Sequence, residues 1–128
     1  MKKYGLCYLA TPYTAYERGH EAAFIEAAQI AARLAKSGMS VYCPISMTHP
    51  MTVFGNLKGD HDYWMEFNQP MLEACHTLIV AQMDGWEFSR GVECEIEYFT
   101  DTFKPVLYLD TETLSLGTNP SPLARVDE

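Results

Sequence analysis

YGLCYLATPYTAYERGHEAAFIEAAQIAARLAKSGMSVYC, residues 4–43, decides the fold. Residues 4–10 are a short, nearly continuous apolar run, the pattern of a strand buried on both faces. Thr11 to Gly19, with Pro12, reads as a loop. Residues 20–37 are Ala-rich, and Ala23, Ala27, Ile30, Ala31 and Leu34 recur on one helical stripe, with Gly38 as the stop. Ser40 to Cys43 is a second short strand ending at Pro44. A strand, a crossover helix and another strand imply parallel pairing.

The alternation continues outward. Residues 44–60, punctuated by Pro44, Pro50, Gly55 and Gly59, read as a long loop of the kind that carries function. Asp60 or Asp62 caps a helix running to about Ala74, which Pro70 is expected to kink or split. Thr77 to Gln82 is a third strand, Asp84 to Phe88 a turn, Ser89 to about Thr102 a helix, and Pro105 to Leu109 a fourth strand. The expected fold is a single α/β domain over residues 1–109, doubly wound and Rossmann-like (flavodoxin-like), with a mostly parallel sheet. Residues 110–128 read as an irregular C-terminal tail. Such sheets hold ligands at the carboxyl ends of their strands, so the loops 11–19, 44–60 and 83–89 are the candidate site.

Composition narrows the function. The 128 residues suit one domain. Nine Lys and Arg against 17 Asp and Glu give a net charge of −8, a field that repels a phosphate backbone and argues against polymeric nucleic acid as partner. No apolar run approaches the roughly 18 residues of a membrane span. Met1 to Ala10 superficially resembles a leader, but its apolar run stops at Thr11-Pro12, which favours a buried first strand. Cys7, Cys43, Cys75 and Cys94 show no CxxC or zinc spacing and read as reduced, mostly buried thiols of a cytoplasmic protein. No resident metal or other cofactor is expected; a site from His49, His61 and Asp62 has no spacing rule behind it.

The stretch richest in chemistry runs from Asp84 to Asp101, with six acidic residues and one base. Glu93 and Glu97 are four apart and share a solvated helix face. Glu95 points the other way, toward the side of Val92 and Phe99. A buried carboxylate is costly unless paired or functional, so either a structural ion pair to Arg18 or Arg33 or a catalytic role is expected. Ser89 is a natural N-cap, and Gly91 lets a ligand approach the first-turn N–H groups, where the helix dipole favours an anion. Together these suit a sugar phosphate, with the phosphate at the helix start and the reactive carbon deeper.

Tyr8-Leu-Ala-Thr-Pro-Tyr, the Ser-x-Gly-Val-x-x-Glu-Ile helix start from Ser89 to Ile96, and Lys104-Pro-Val together resemble the nucleoside 2-deoxyribosyltransferase superfamily, which includes deoxynucleoside 5′-monophosphate N-glycosidases. The closer likeness is to an uncharacterised branch of short bacterial and phage proteins with a Gly-Trp-Glu-x-Ser-Arg-Gly signature, here Gly85 to Gly91. The resemblance covers roughly residues 4–109. It implies that Glu95 is the nucleophile at the anomeric carbon and that Tyr8 holds it by a hydrogen bond. It also implies phosphate binding by Ser89 and Gly91, and proton management at the base by Asp84. Asn68 and His76 stand where the superfamily has aspartates; Asn68 still hydrogen-bonds a sugar hydroxyl but brings no charge. A homodimer or homotetramer is implied as well, with Asn119 a candidate to reach a neighbour.

The expected activity is hydrolysis or transfer at the N-glycosidic bond of a nucleoside or nucleoside 5′-monophosphate. Breaking that bond passes through an oxocarbenium-like state that a carboxylate stabilises or traps. A non-catalytic nucleotide-sensing module and an NAD-type N-glycosidase are the alternatives. In the second loop, Ser46 and His49 fall in a Ser-x-x-x-His-Pro segment shared with the uncharacterised branch. His61 reads as a surface residue. Trp86 is the better candidate than Trp64 to stack on a base. Met47, Met51, Met65, Met71 and Met83 read as core and gap filling.

Overall fold

A computed structural model describes residues 4–120. The strands are β1 (Leu6–Ala10), β2 (Ser40–Tyr42), β3 (Thr77–Ala81), β4 (Val106–Leu109) and β5 (Leu116–Gly117). The helices are α1 (His20–Lys36), α2 (Pro44–Gly55), α3 (His61–Ala74) and α4 (Arg90–Asp101), with a single 3-10 turn at Trp86–Phe88. The sheet order is β2-β1-β3-β4-β5. β1 to β4 are parallel, and β5 pairs antiparallel to β4. This is the expected α/β, mostly parallel, flavodoxin-like arrangement.

Side-chain alternation divides the core. Cys7, Leu9, Ile79 and Ala81 face one way and pack with Ala23, Ala27, Ile30 and Leu34 of α1. Tyr8, Ala10, Leu78 and Val80 face the other way, against Leu72 of α3 and Val92 and Phe99 of α4. All five residues of β3 are buried, and four of them, Leu78 to Ala81, form an unbroken apolar run. The chain leaves β1 for one face and β3 for the other. The β1–β3 junction is thus the switch point, and sheets of this kind bind ligands at the carboxyl ends of their strands near it.

Four local expectations are corrected. Residues 44–55 are helical, not loop. Pro44 sits at the first helical position, where its missing N–H costs nothing, and α2 packs along α1. Pro50 lies within the helix, and only residues 56–60 remain as linker. Asp60 caps α3 by accepting from the Tyr63 N–H at 2.8 Å, and the helix runs unbroken through Pro70. The C-terminal segment is not wholly irregular, because Leu116–Gly117 adds an edge strand; residues 121–128 of that tail lie outside the described region. Of the methionines, Met83 is core, whereas Met47 and Met71 are exposed.

Candidate active site

A cavity of about 400 Å³ lies over the carboxyl ends of β1 and β2. Two walls form it, one from each face of the sheet. The β1–α1 loop and α2 contribute Thr11, Tyr13, Thr48 and His49. α3 and the start of α4 contribute Trp64, Met65, Asn68, Ser89, Gly91 and Glu95.

Glu95 is the buried carboxylate of this cavity, with 7% of its surface exposed. It follows Val92 by three residues and precedes Phe99 by four, so it lies on the apolar face of α4. Glu93 and Glu97 lie in solvent, as their spacing requires. The Tyr8 hydroxyl donates to Glu95 Oε2 at 2.8 Å. Tyr8 is fully buried beneath it, its ring 5.6 Å from Tyr42 and 6.2 Å from Phe99, so the donor is fixed. Neither arginine reaches Glu95. Arg18 pairs with Glu26 and Asp84, and Arg33 donates to the Thr111 and Glu112 carbonyls. Burial pushes the Glu95 carboxyl up to about 8, against the downward pull of the Tyr8 hydrogen bond. Burial and the neighbouring carboxylate push the Tyr8 phenol up, so it stays a donor.

The remaining expected residues divide. Asn68 is buried in the wall and accepts from the Tyr42 hydroxyl at 3.1 Å through Oδ1, which leaves its NH₂ donors for a ligand. Ser89 caps α4 by accepting from the Val92 N–H at 3.2 Å, so its own O–H can still donate. A Cβ on Gly91 would meet nothing nearer than Ser89 Oγ at 3.9 Å, so this glycine keeps open the space over the helix start. His49 lies in the other wall.

Asp84, Trp86 and Ser46 are not brought to the cavity. Gly85 explains the first two. Its φ is +84°, and a Cβ there would lie 2.4 Å from the Ala15 carbonyl oxygen. That contact pins the turn, directing Asp84 outward to Arg18 at 3.7 Å. Trp86 packs beside the Tyr108 ring, 5.8 Å away. Ser46 donates to the Cys43 carbonyl in the first turn of α2. Trp64, not Trp86, is the indole of the cavity, and His61 lines it too.

Sequence reasoning assigned no role to Thr11, Tyr13, His20 and Arg90, all of which line the cavity together with Thr48 of the second loop. Arg90 was legible as the residue following an N-cap in a glycine-bearing turn. The others needed the loops to be folded. Thr11 Oγ1 is buried with no hydrogen-bond partner among the described residues. A buried hydroxyl left unpaired in a cavity wall suits a polar ligand.

Among the described residues no group of three or more His, Cys, Asp or Glu side chains could hold a metal ion, and no helix is long and apolar enough to cross a membrane. The four cysteines are free; Cys94 is partly exposed, 3.8 Å from His61 Nε2.

Fold and site together define a flavodoxin-like α/β domain with a tyrosine-held, buried glutamate in a cavity at the carboxyl end of its sheet. The chain belongs to a family described as a domain of unknown function (DUF1937), which it matches over residues 5–111. No curated protein matches it.

Proposed function

We propose that the protein cleaves the N-glycosidic bond of a nucleoside 5′-monophosphate, with Glu95 as the nucleophile. The observation that carries this reading is the Glu95 carboxyl, buried in a ligand-sized cavity and held, among the described residues, by the Tyr8 hydroxyl alone at 2.8 Å. A carboxylate in a low-dielectric site is strongly attracted to the positive charge that develops at an anomeric carbon. The resemblance to nucleoside 2-deoxyribosyltransferases and monophosphate N-glycosidases supports the same roles for Glu95 and Tyr8.

The start of α4 supplies the phosphate end. Ser89 has a free O–H, the Gly91 N–H belongs to the first turn, and Arg90 brings a positive charge, all lining the same cavity. Asn68 offers its NH₂ to the sugar. A cavity near 400 Å³ sits at the lower end of the ~300–1,000 Å³ typical of ligand sites, which suits one nucleotide better than a dinucleotide. Water as acceptor gives hydrolysis, and a second base gives transfer.

The test is release of free base from a panel of nucleosides and 5′-monophosphates, followed by chromatography. Wild type is expected to release base from monophosphates, and Glu95→Gln to fold but not turn over. Ser89→Ala is expected to weaken monophosphates more than nucleosides. Binding of monophosphates with no base released by wild type would overturn the catalytic reading in favour of a nucleotide sensor.

A further inference from the structure

A departing nucleobase needs a proton, and Asp84 lies outside the cavity, ion-paired to Arg18. His49 lies inside it, in the wall that does not carry Glu95. This histidine is 9% exposed, and its Nδ1 is 2.6 Å from the Tyr13 hydroxyl. Its ring stacks on Phe24, with centroids 4.6 Å apart and planes 20° apart. Tyr13 is itself held by stacking on His20, at 4.1 Å and 7°. The imidazole is thus fixed in position and plane, with Nδ1 engaged and Nε2 left without a hydrogen-bond partner among the described residues. An oriented imidazole in a cavity wall has the form of a general acid set by a partner on its other nitrogen.

The two-walled geometry gives it a specific task. Displacement at an anomeric carbon needs the attacking carboxylate on one side and the departing group on the other. Glu95 descends from the α3–α4 face of the sheet and His49 from the α1–α2 face. A sugar between them would have its C1′ toward Glu95 and its base toward His49.

We propose that His49 is the catalytic acid of the glycosidic cleavage, with Tyr13 as its positioning residue. The inference rests on the N-glycosidase reading of the site. In the first step a Glu95 oxygen bonds to C1′, the C1′–N bond breaks with its electron pair going to the base nitrogen, and the Nε2 proton of imidazolium His49 moves to the base. In the second, water bonds to C1′ as the Glu95–C1′ bond breaks. The electron pair of that bond returns to the carboxylate, and a water proton returns to His49. The sum is nucleotide plus water giving free base plus sugar phosphate.

Pre-charged leaving groups separate this role from a structural one. The base of 7-methyl-2′-deoxyguanosine 5′-monophosphate is already cationic and departs neutral without a proton. Replacing His49 by Gln is expected to lower kcat on unmodified 2′-deoxyguanosine 5′-monophosphate by roughly 10²–10⁴-fold, the usual contribution of general acid catalysis. On the 7-methyl substrate, measured above its spontaneous loss of base, the same variant should stay within a few-fold of wild type. Tyr13→Phe, which removes one hydroxyl and keeps the stacked ring, should show the same substrate dependence at smaller size. It also serves as the second variant if His49→Gln does not fold.

Equal losses on both substrates would make His49 a packing residue and overturn the proposal while leaving the N-glycosidase reading intact, since Glu95→Gln would still abolish both. Absence of base release by wild type from these two substrates and from every other 5′-monophosphate of the panel would overturn both.

Discussion

Substituting Glu95 by Gln should stabilise the protein at alkaline pH and leave it nearly unchanged in acid. The folded carboxyl titrates at about 8 and the ordinary value is 4.5. Below 4.5 the group is neutral in both folded and unfolded chains, and its contribution to stability is fully present. Between those values the folded state keeps a proton that the unfolded state has released, so stability falls as pH rises. Above about 8 the full penalty applies. That gap, at ~1.4 kcal/mol per pH unit, corresponds to roughly 5 kcal/mol. Water entering the cavity around an ionised group reduces it, and a difference of about 2–4 kcal/mol is expected. Gln keeps the shape and the acceptor for Tyr8 but does not titrate. Urea unfolding of both proteins from pH 4.5 to 9 measures the difference directly. The two proteins share every other side chain of the cavity, so the comparison isolates Glu95. A stability difference that stays constant across this range, or a variant weaker than wild type at pH 8.5, would refute the assignment of a buried carboxyl held by Tyr8 with no cationic partner among the described residues.

Tyr8→Phe removes the hydroxyl that favours the ionised carboxylate. The acid limb of kcat/KM should therefore move to higher pH, and the variant should lose about 1.5–3 kcal/mol at pH 9 and less at pH 5, read by urea unfolding. Gly91→Ala meets no protein atom closer than 3.9 Å and should fold with equal or greater stability, yet place a methyl over the helix start and weaken monophosphate binding at least tenfold by calorimetry. Lys104 donates to the Leu72, Glu73 and Cys75 carbonyls at 2.9–3.2 Å, closing the C-terminal end of α3. Lys104→Met should cost about 2–4 kcal/mol in thermal or urea unfolding without changing nucleotide affinity, because the bonds are charge-assisted and the carbonyls are left unpaired. Gly85→Ala forces a side chain into the left-handed region and against the Ala15 carbonyl. A loss of ~2–4 kcal/mol is expected by the same measurement.

The inward direction of Glu95 was legible because helical geometry relates neighbours by a fixed rotation: Val92, Glu95 and Phe99 must share a face once residues 90–101 are helical. Ser89 as a cap follows from the same local rule. Residues 44–55 were misread because proline and glycine punctuate loops in isolation, whereas Pro44 opens a helix and packing against α1 carries the chain through Pro50. Trp86 was preferred to Trp64 because it lies next to the site turn in sequence, and the structure reverses that order. The choice fell to Gly85, whose contact with Ala15 joins two loops distant in sequence.

By itself, then, the sequence determined β1 to β4, α1, α3 and α4, the parallel sheet and the face on which residues of those helices lie, since these depend on periodicity within about a dozen residues. Only the tertiary structure decided which side chains meet: that Tyr8 reaches Glu95 across 87 positions, that Tyr13 reaches His49 across 36, and that Asp84 turns away to Arg18. Such contacts depend on how loops from both faces of the sheet close over the ends of β1 and β2, and no local pattern encodes that closure.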